Sequence, residues 1–347
     1  VIHGGIYYAP GSLKARLCVE GARRMETFCE QHGLAYRRIG KVIVATSEQE
    51  RPRLEELWRR GEANGVPGLR RIGPEELREL EPNVAGVEAL HSPTTGIVDF
   101  AEVARAMAAE LRRQGAEVIT GAEVLAIDRG SIQTTRAEVH TRFLVNCAGL
   151  HSDRIARLAG LTPPLQIVPV RGEYYFMRPE SGSLVQGLIY PVPDPALPFL
   201  GVHFTRTIHG QVEAGPNAVP AFAREGYSAG RVNLADLREM LGYPGFRAMA
   251  RRLWRVGLYE FYRSASKAAF VRSLQKLVPA IRSHDLVRGG AGVRAQAVAP
   301  DGALVNDFSI LEGPGAVHVL NAPSPAATAS LAIGGHIARM ALLRLGD

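Results

Sequence analysis

The chain has 347 residues, 46% hydrophobic, 22% charged and 7% aromatic, with 37 Gly and 22 Pro. This excludes disorder and collagen-like repetition, and the length suits one large domain or two ordinary ones. Lys and Arg total 41 against 34 Asp and Glu, a formal net charge of +7, and only Lys14, Lys41, Lys267 and Lys276 are lysines. The pairs Arg23–Arg24, Arg59–Arg60, Arg112–Arg113 and Arg251–Arg252 fall mostly in helical stretches beside Glu. They read as solvated helix faces rather than a nucleic-acid patch, with attraction to anionic substrates or a membrane surface left open. Cys18, Cys29 and Cys147 form no CxxC and no metal-ligand cluster, so a reducing compartment and no metal site are expected. Pro323 and Pro325 interrupt the longest uncharged run, so no transmembrane helix is expected, and no basic-then-apolar leader is visible.

In chain order, Ser12 can cap a helix to about Gln31, with Leu13, Leu17, Met25 and Phe28 on one face and Gly33 as its stop. Lys41–Thr46 reads as a strand and Glu48–Asn64 as a charged surface helix. Asp99 with Glu102 resembles a capping box for a helix to Arg113, ended by Gly115. Short β-rich runs follow at Glu117–Thr120, Glu123–Asp128 and Phe143–Cys147, then a helix at Ser152–Ala159. The middle third turns β-rich, with strands at Ile167–Arg178, Ile189–Val192, Phe199–Thr205 and Gln211–Gly215. Residues Leu234–Trp254 return to helix. A strand at Val317–Leu320, a Pro/Ser/Ala loop and a helix from about Ala327 to Leu343 close the chain. The alternation predicts a mixed α/β nucleotide domain whose halves are separated by a β-rich insert.

A dinucleotide-binding α/β protein carries G-x-G-x-x-G between a strand and a helix, because those glycines let the backbone approach the pyrophosphate. That spacing occurs nowhere in this sequence. Composition and spacing alone stop at an α/β enzyme of undetermined cofactor.

Longer strings carry more. VIHGGIYY and APGSLKARLCVEG open the chain, followed by GIVDF (96–100), NCAGLHSDRIARLAG (146–160) and VPVRGEYY (168–175). Then come YPVPD (190–194), FLGVHFT (199–205), GPNAV (215–219), RGGAGVRAQAV (288–298) and NAPSPAATASLAIG (321–334). In this unbroken order they closely resemble the L-2-hydroxyglutarate oxidase/dehydrogenase family, FAD enzymes of the D-amino-acid-oxidase-like class. The resemblance implies a Rossmann-like FAD-binding domain (1–33, 96–162 and 284–347) with an inserted β-rich substrate domain (34–95 and 163–283). It also implies a βαβ unit with the glycine fingerprint just ahead of VIHGG, so the chain is expected to be N-terminally truncated.

The resemblance implies oxidation of L-2-hydroxyglutarate to 2-oxoglutarate, with hydride passing to flavin N5 and electrons then to oxygen or a quinone. His3, Gly4 and Gly5 would lie against the flavin ring, although His3 read alone is an ordinary strand-end histidine. Tyr7 and Tyr8 are candidate substrate contacts, or a tyrosine pair packed at a domain seam. Ala148 and Gly149 are small enough for close passage of the cofactor, or simply form a tight strand-to-helix turn. Pro323, Ser324, Pro325 and Ala326 lead into a helix whose N-terminal N–H groups suit negative charge on the flavin.

Arg294, in a Gly-x-Arg motif, is the first candidate for a substrate carboxylate, because guanidinium matches carboxylate in bidentate fashion. Arg171 and Lys14 are candidates for a second carboxylate, or surface ion-pair members. A lone strand histidine is ordinarily structural, yet removing a hydroxyl proton requires a base. His203 is therefore the first choice for that role and His3 the second. His91, His151 and His318 read as structural, and Cys147 as buried packing. A small dicarboxylate substrate, no nucleic acid, and a cytoplasmic location, with peripheral contact to the inner membrane left open, complete the expectation. The rivals are the same class acting on another hydroxy acid, a polyol phosphate or a secondary amine, and a remnant that binds without catalysis.

Overall fold

The computed structural model describes residues 1–195 and 200–345. Several helices open on a short polar side chain that accepts an otherwise unpaired backbone N–H. Ser12 accepts from Ala15 N at 3.1 Å and starts α1 (Leu13–Gln31), which is followed by Gly33 at φ 62°. β1 (Tyr36–Arg38) and β2 (Lys41–Ala45) come next, and a 3-10 turn at Glu48–Glu50 tightens the entry to α2 (Arg51–Ala63). β3 (Arg70–Ile72), α3 (Pro74–Leu80), β4 (Glu88–Ser92) and β5 (Gly96–Val98) lead to α4 (Phe100–Arg113). Asp99 caps α4, accepting from Ala101 N at 2.8 Å and from Glu102 N at 3.4 Å.

β6 (Val124–Asp128), β7 (Ser131–Thr134) and β8 (Glu138–His140) form a meander, followed by β9 (Leu144–Asn146) and α5 (Ser152–Leu158). The strand expected at Glu117–Thr120 does not form; no described strand pairs with it and its residues are largely exposed. β10 (Gln166–Met177), β11 (Leu188–Pro191), β12 (His203–Arg206), β13 (Val212–Gly215) and β14 (Val219–Pro220) build the insert. The strand expected at Phe199–Thr205 starts only at His203, and Phe199 lies outside the described residues.

The helix expected over Leu234–Trp254 is two, α6 (Leu234–Gly242) and α7 (Pro244–Ala265). Pro244 has no N–H to continue α6 but suits the first turn of α7, which runs beyond Trp254. α8 (Lys267–Leu274), β15 (Leu286–Val298), β16 (Ser309–Gly313), β17 (Ala316–Asn321) and α9 (Ala326–Leu345) complete the chain.

Among the described residues the largest sheet has nine strands, in the order β14-β10-β13-β12-β11-β2-β4-β3, with β15 joined to β10. β15 thus belongs to the insert's sheet, whereas the division at 284 assigns it to the cofactor unit. Its antiparallel ladder with β10, from Gln166↔Val298 to Met177↔Leu286, is the reason. Facing pairs share one side of a sheet and alternate along each strand. The back face therefore collects Val42, Val44, Tyr175, Met177, Ile189, Phe204, Val212 and Ala214, which pack with Phe270, Val271 and Leu274 of α8 into a buried apolar core. The front face holds Lys41 and Ile43 of β2, Tyr190 of β11, His203 and Thr205 of β12, Glu213 of β13 and Tyr174 of β10. Arg294 of β15, opposite Val170, joins them on that side.

A smaller sheet holds β9 and β17 in parallel, with β16 antiparallel to β17. It packs with α1 and α9, whose own contact is close: a Cβ on Gly21 would lie 2.5 Å from Ala329 Cα. α9 is long and apolar enough to cross a membrane, contrary to the expectation from Pro323 and Pro325, which lie just ahead of it. Thr328, Ala329, Ala332, Ile333, Ile337 and Ala341 form its buried side.

Candidate active site

The segment Val1–Tyr8 runs from β5 and the first turn of α9 to the front of the large sheet. Ile2 N donates to Gly96 O at 2.7 Å and Gly96 N donates back to Ile2 O at 3.1 Å. Thr328, in the first turn of α9, accepts from His3 N at 3.2 Å and donates to Val1 O at 3.1 Å. His3, Gly4 and Gly5 are thereby held beside the segment Pro323–Ala326, and Gly5 takes φ +98°, which a side chain would strain. Cys18 donates to His3 O at 3.3 Å, and burial lifts its thiol to about 12, so it stays protonated.

Tyr7 and Tyr8 bring two cations together. The Lys41 ammonium lies 4.7 Å from the Tyr7 ring centroid and 5.2 Å from that of Tyr190, and the residue is 2% exposed. Burial lowers its pKa to about 8. Among the described residues no carboxylate pairs with it. Lys14 Nζ sits 4.8 Å from the Tyr8 centroid and donates to Asn306 O at 3.2 Å. Burial lowers its pKa too, against the pull of Asp307.

His203 stacks on Tyr190, with ring centroids 4.0 Å apart and planes at 25°. Its Nδ1 lies 3.2 Å from Gly201 O. A carbonyl only accepts, so this contact assigns the neutral ring's hydrogen to Nδ1 and leaves the Nε2 lone pair available. Burial first, then the charges of Lys41 and Arg294, lower His203 to about 4, against the Gly201 bond. Burial, with Lys41 second, likewise holds His3 well below its ordinary value. Both imidazoles are therefore uncharged near neutrality.

Arg294 is exposed on the front face. Its positive charge acts on Tyr8, Tyr174, Lys14 and His203, favouring the ionised tyrosines and disfavouring the cationic forms of the lysine and the histidine. Glu213 is the acid of this face; burial raises its carboxyl above the usual range.

The structure thus brings His3, Tyr7, Tyr8, Lys14, His203 and Arg294 together and leaves Arg171 out. Arg171 faces Val293 across the ladder, so it points to the back, where it is 4% exposed. There its Nη2 donates to Glu173 Oε1 at 3.1 Å. Register is the physical reason the second-carboxylate role does not extend to it. Cys147 also departs from expectation: it is exposed, beside Ala148 and Gly149 at the end of β9. Sequence reasoning missed Lys41, Tyr174, Tyr190 and Glu213. Alternation in KVIVA, which puts Lys41 with Ile43 and Ala45, was the signal for the first.

Does this arrangement fit a flavin? His3 Nδ1 is buried without a hydrogen-bond partner, and Gly4 and Gly5 follow it without side chains. Ala327, in the first turn of α9, is exposed, so its end of the helix is open to an anionic group. Ala148 and Gly149 follow β9, the parallel neighbour of β17, and the carboxyl ends of parallel strands are where α/β sheets take ligands. These groups suit the ring end of FAD. The G-x-G-x-x-G that would cradle its pyrophosphate is not among these 347 residues.

A front sheet face bearing Lys41, His203 and Arg294, set beside a smaller sheet with a parallel β9–β17 pair, is the two-part arrangement of a flavoenzyme. Residues 1–340 match the family model described as FAD dependent oxidoreductase (DAO), and the chain belongs to that family. An L-2-hydroxyglutarate dehydrogenase of Indibacter alkaliphilus is 48% identical over 349 residues, covering 99% of this chain and 88% of that protein. One from Escherichia coli K12 is 45% identical, covering 97% and 81%. The human mitochondrial enzyme of that name is 44% identical, covering 97% and 78%. Among solved structures, FAD-bound L-alpha-glycerophosphate oxidase of Mycoplasma pneumoniae superposes with a TM-score of 0.77 at 21% identity, covering 100% of this chain and 83% of that one. Glycine oxidase of Geobacillus kaustophilus gives 0.72 at 18% identity, covering 99% and 83%.

Proposed function

We propose that the chain oxidises L-2-hydroxyglutarate to 2-oxoglutarate on the front face of the large sheet, between a cofactor unit and the β-rich insert. The observation that carries this reading is the gathering of Lys41 and Arg294 near uncharged His203, stacked on Tyr190, with Lys14 at Tyr8 on the side of Arg294. Relatives with 44% to 48% identity named for that substrate support the choice of dicarboxylate.

FAD, when bound, supplies the two-electron acceptor. His3, Gly4, Gly5, Ala148, Gly149 and the turn Pro323-Ser324-Pro325-Ala326 would hold its ring end. Arg294 grips the C1 carboxylate in bidentate fashion, fixing C2 beside His203. Lys41 takes the distal carboxylate, and Lys14 adds charge near Tyr8. His203 accepts the hydroxyl proton at Nε2, so that the carbonyl of the oxo acid can form. Two carboxylates arriving beside Lys41 and Arg294 offset the charges that depress His203, so substrate binding strengthens the base. Electrons leave to oxygen or a quinone.

The test is anaerobic reduction of the FAD-loaded chain. L-2-Hydroxyglutarate should bleach the flavin, while its D enantiomer, glycerol 3-phosphate and sarcosine should not. A flavin left oxidised by L-2-hydroxyglutarate and bleached by one of the others would overturn the substrate; a chain that takes up no FAD would leave only a binding role. Oxygen uptake compared with reduction of a soluble quinone then distinguishes the acceptors.

A further inference from the structure

We infer, on the reading above that the turn at Ala148 and Gly149 borders the flavin, that Arg224 is a positioning residue setting where this turn stands relative to the substrate groups. Arg224 follows β14 of the large sheet. Its side chain ends at Leu150 and Asp153, where the chain passes from β9 of the small sheet into α5. Nη1 donates to Leu150 O at 2.6 Å and to Asp153 Oδ1. Nη2 donates to Asp153 Oδ2 at 2.9 Å and to Glu239 Oε1 of α6 at 3.1 Å. Arg224 is 2% exposed and Asp153 is fully buried.

The same turn is held from its other side. Asn146 Oδ1 accepts from Ala148 N at 3.0 Å, and its Nδ2 donates to Ser152 O at 2.8 Å. Ser152 Oγ donates in turn to Leu320 O of β17 at 2.9 Å. Asn146 and Ser152 thus tie the turn to the small sheet, and Arg224 ties it to the large one.

Stability alone does not account for Arg224. α5 and α6 are already joined by Arg154 with Asp236 and Glu239, and by Arg157 with Glu239. A buried ion pair loses to desolvation much of what it gains by attraction. What the planar guanidinium adds is direction, for it meets the turn, α5 and α6 at once, which the point charge of a lysine cannot match. Lys41 and Arg294 stand on the large sheet itself. A displaced turn therefore alters the distance between the flavin and C2 of the substrate while the carboxylate contacts stay intact.

The test compares Arg224→Lys with Glu239→Gln, which loosens the same side chain and keeps the buried pair with Asp153. Hydrogen exchange of the full chain should speed up by about 10-fold at the amides of residues 148–152 in Arg224→Lys, while β10 and β15 keep their protection. In the FAD-loaded chain, the Kd for FAD should rise about 10-fold. Flavin reduction at saturating substrate should slow by about 10-fold or more, with KM held within about 2-fold. Glu239→Gln should move each quantity the same way by less. The kinetic arm uses whichever of L-2-hydroxyglutarate, glycerol 3-phosphate and sarcosine bleaches the native flavin, so a wrong substrate overturns that assignment and leaves this one standing. Arg171→Ala, which loses a buried partner on the back face, should leave exchange at 148–152 and kcat unchanged below its melting temperature. Unchanged exchange at 148–152 in both network variants would overturn the proposal, as would a raised KM at constant kcat.

Discussion

Arg294 and Arg171 stand on paired strands and project to opposite faces of one sheet, because Arg294 faces Val170 while Arg171 faces Val293. Two arginines close in space thus have separate consequences. Arg294→Gln is expected to lower kcat/KM by about 100-fold through loss of a bidentate carboxylate contact, with little change in melting temperature. Arg171→Ala should act through stability, costing about 3 kcal/mol by leaving Glu173 without its buried partner. Steady-state kinetics beside thermal melts on both variants separate the two; an Arg171 variant that melts normally but has lost activity would contradict the assignment.

Lys41 should set affinity more than turnover. Lys41→Met is expected to raise KM by about 30-fold while kcat changes far less. Its cationic form is the one that binds a carboxylate, and its pKa lies at about 8. KM of the native chain should therefore climb as pH rises through 8, and Lys41→Arg, whose guanidinium stays charged, should lose that climb. A flat alkaline profile in the native chain would remove Lys41 from substrate binding.

His203 carries the proton-transfer role, and His203→Asn should lower kcat by about 100-fold or more. The neutral ring is the working form and its pKa in the free protein is about 4. The acid limb of kcat/KM should accordingly fall near pH 4, not near the ordinary histidine value of about 6.5. The same shift reaches stability. An unfolded histidine binds a proton that the folded one refuses between about pH 6.5 and 4, so the native state loses stability as pH falls through that window. Denaturant melts from pH 7 to pH 5 should show the loss, and its slope should diminish in His203→Asn.

The contact between α1 and α9 is a packing prediction. Gly21→Ala would set a methyl 2.5 Å from Ala329 Cα and 2.9 Å from Thr328 O, both backbone atoms that cannot step aside. A loss of about 1–3 kcal/mol is expected, seen as a lower melting temperature. Since Thr328 also ties His3 to α9, flavin retention should drop alongside.

Much of the fold is legible in the sequence because its signals are local. Ser12 and Asp99 cap the helices they announce, and the β-rich run QIVPVRGEYYFM marks β10. The break at Tyr243–Pro244 is equally local, since Pro244 lacks the N–H that would continue α6 while the apolar spacing runs across it unbroken. Lys41 is different. A lysine before VIVA reads as the solvated start of a strand, and its burial depends on Tyr7 and Tyr190, far away along the chain. Arg171 shows the converse, for nothing near it in sequence reveals which side of the sheet it takes until the partner strand is known.

The β10–β15 ladder has an evolutionary corollary. A strand's two sides exchange with every single-residue slip, so one codon inserted between Gly292 and Val293 would turn the guanidinium into the apolar back and present Val293 to the substrate. Substitutions along β15 can be tested by selection one position at a time, but changes of length cannot. Descendants of this chain are free to vary the spelling of RGGAGVRAQAV, and they are held to its count.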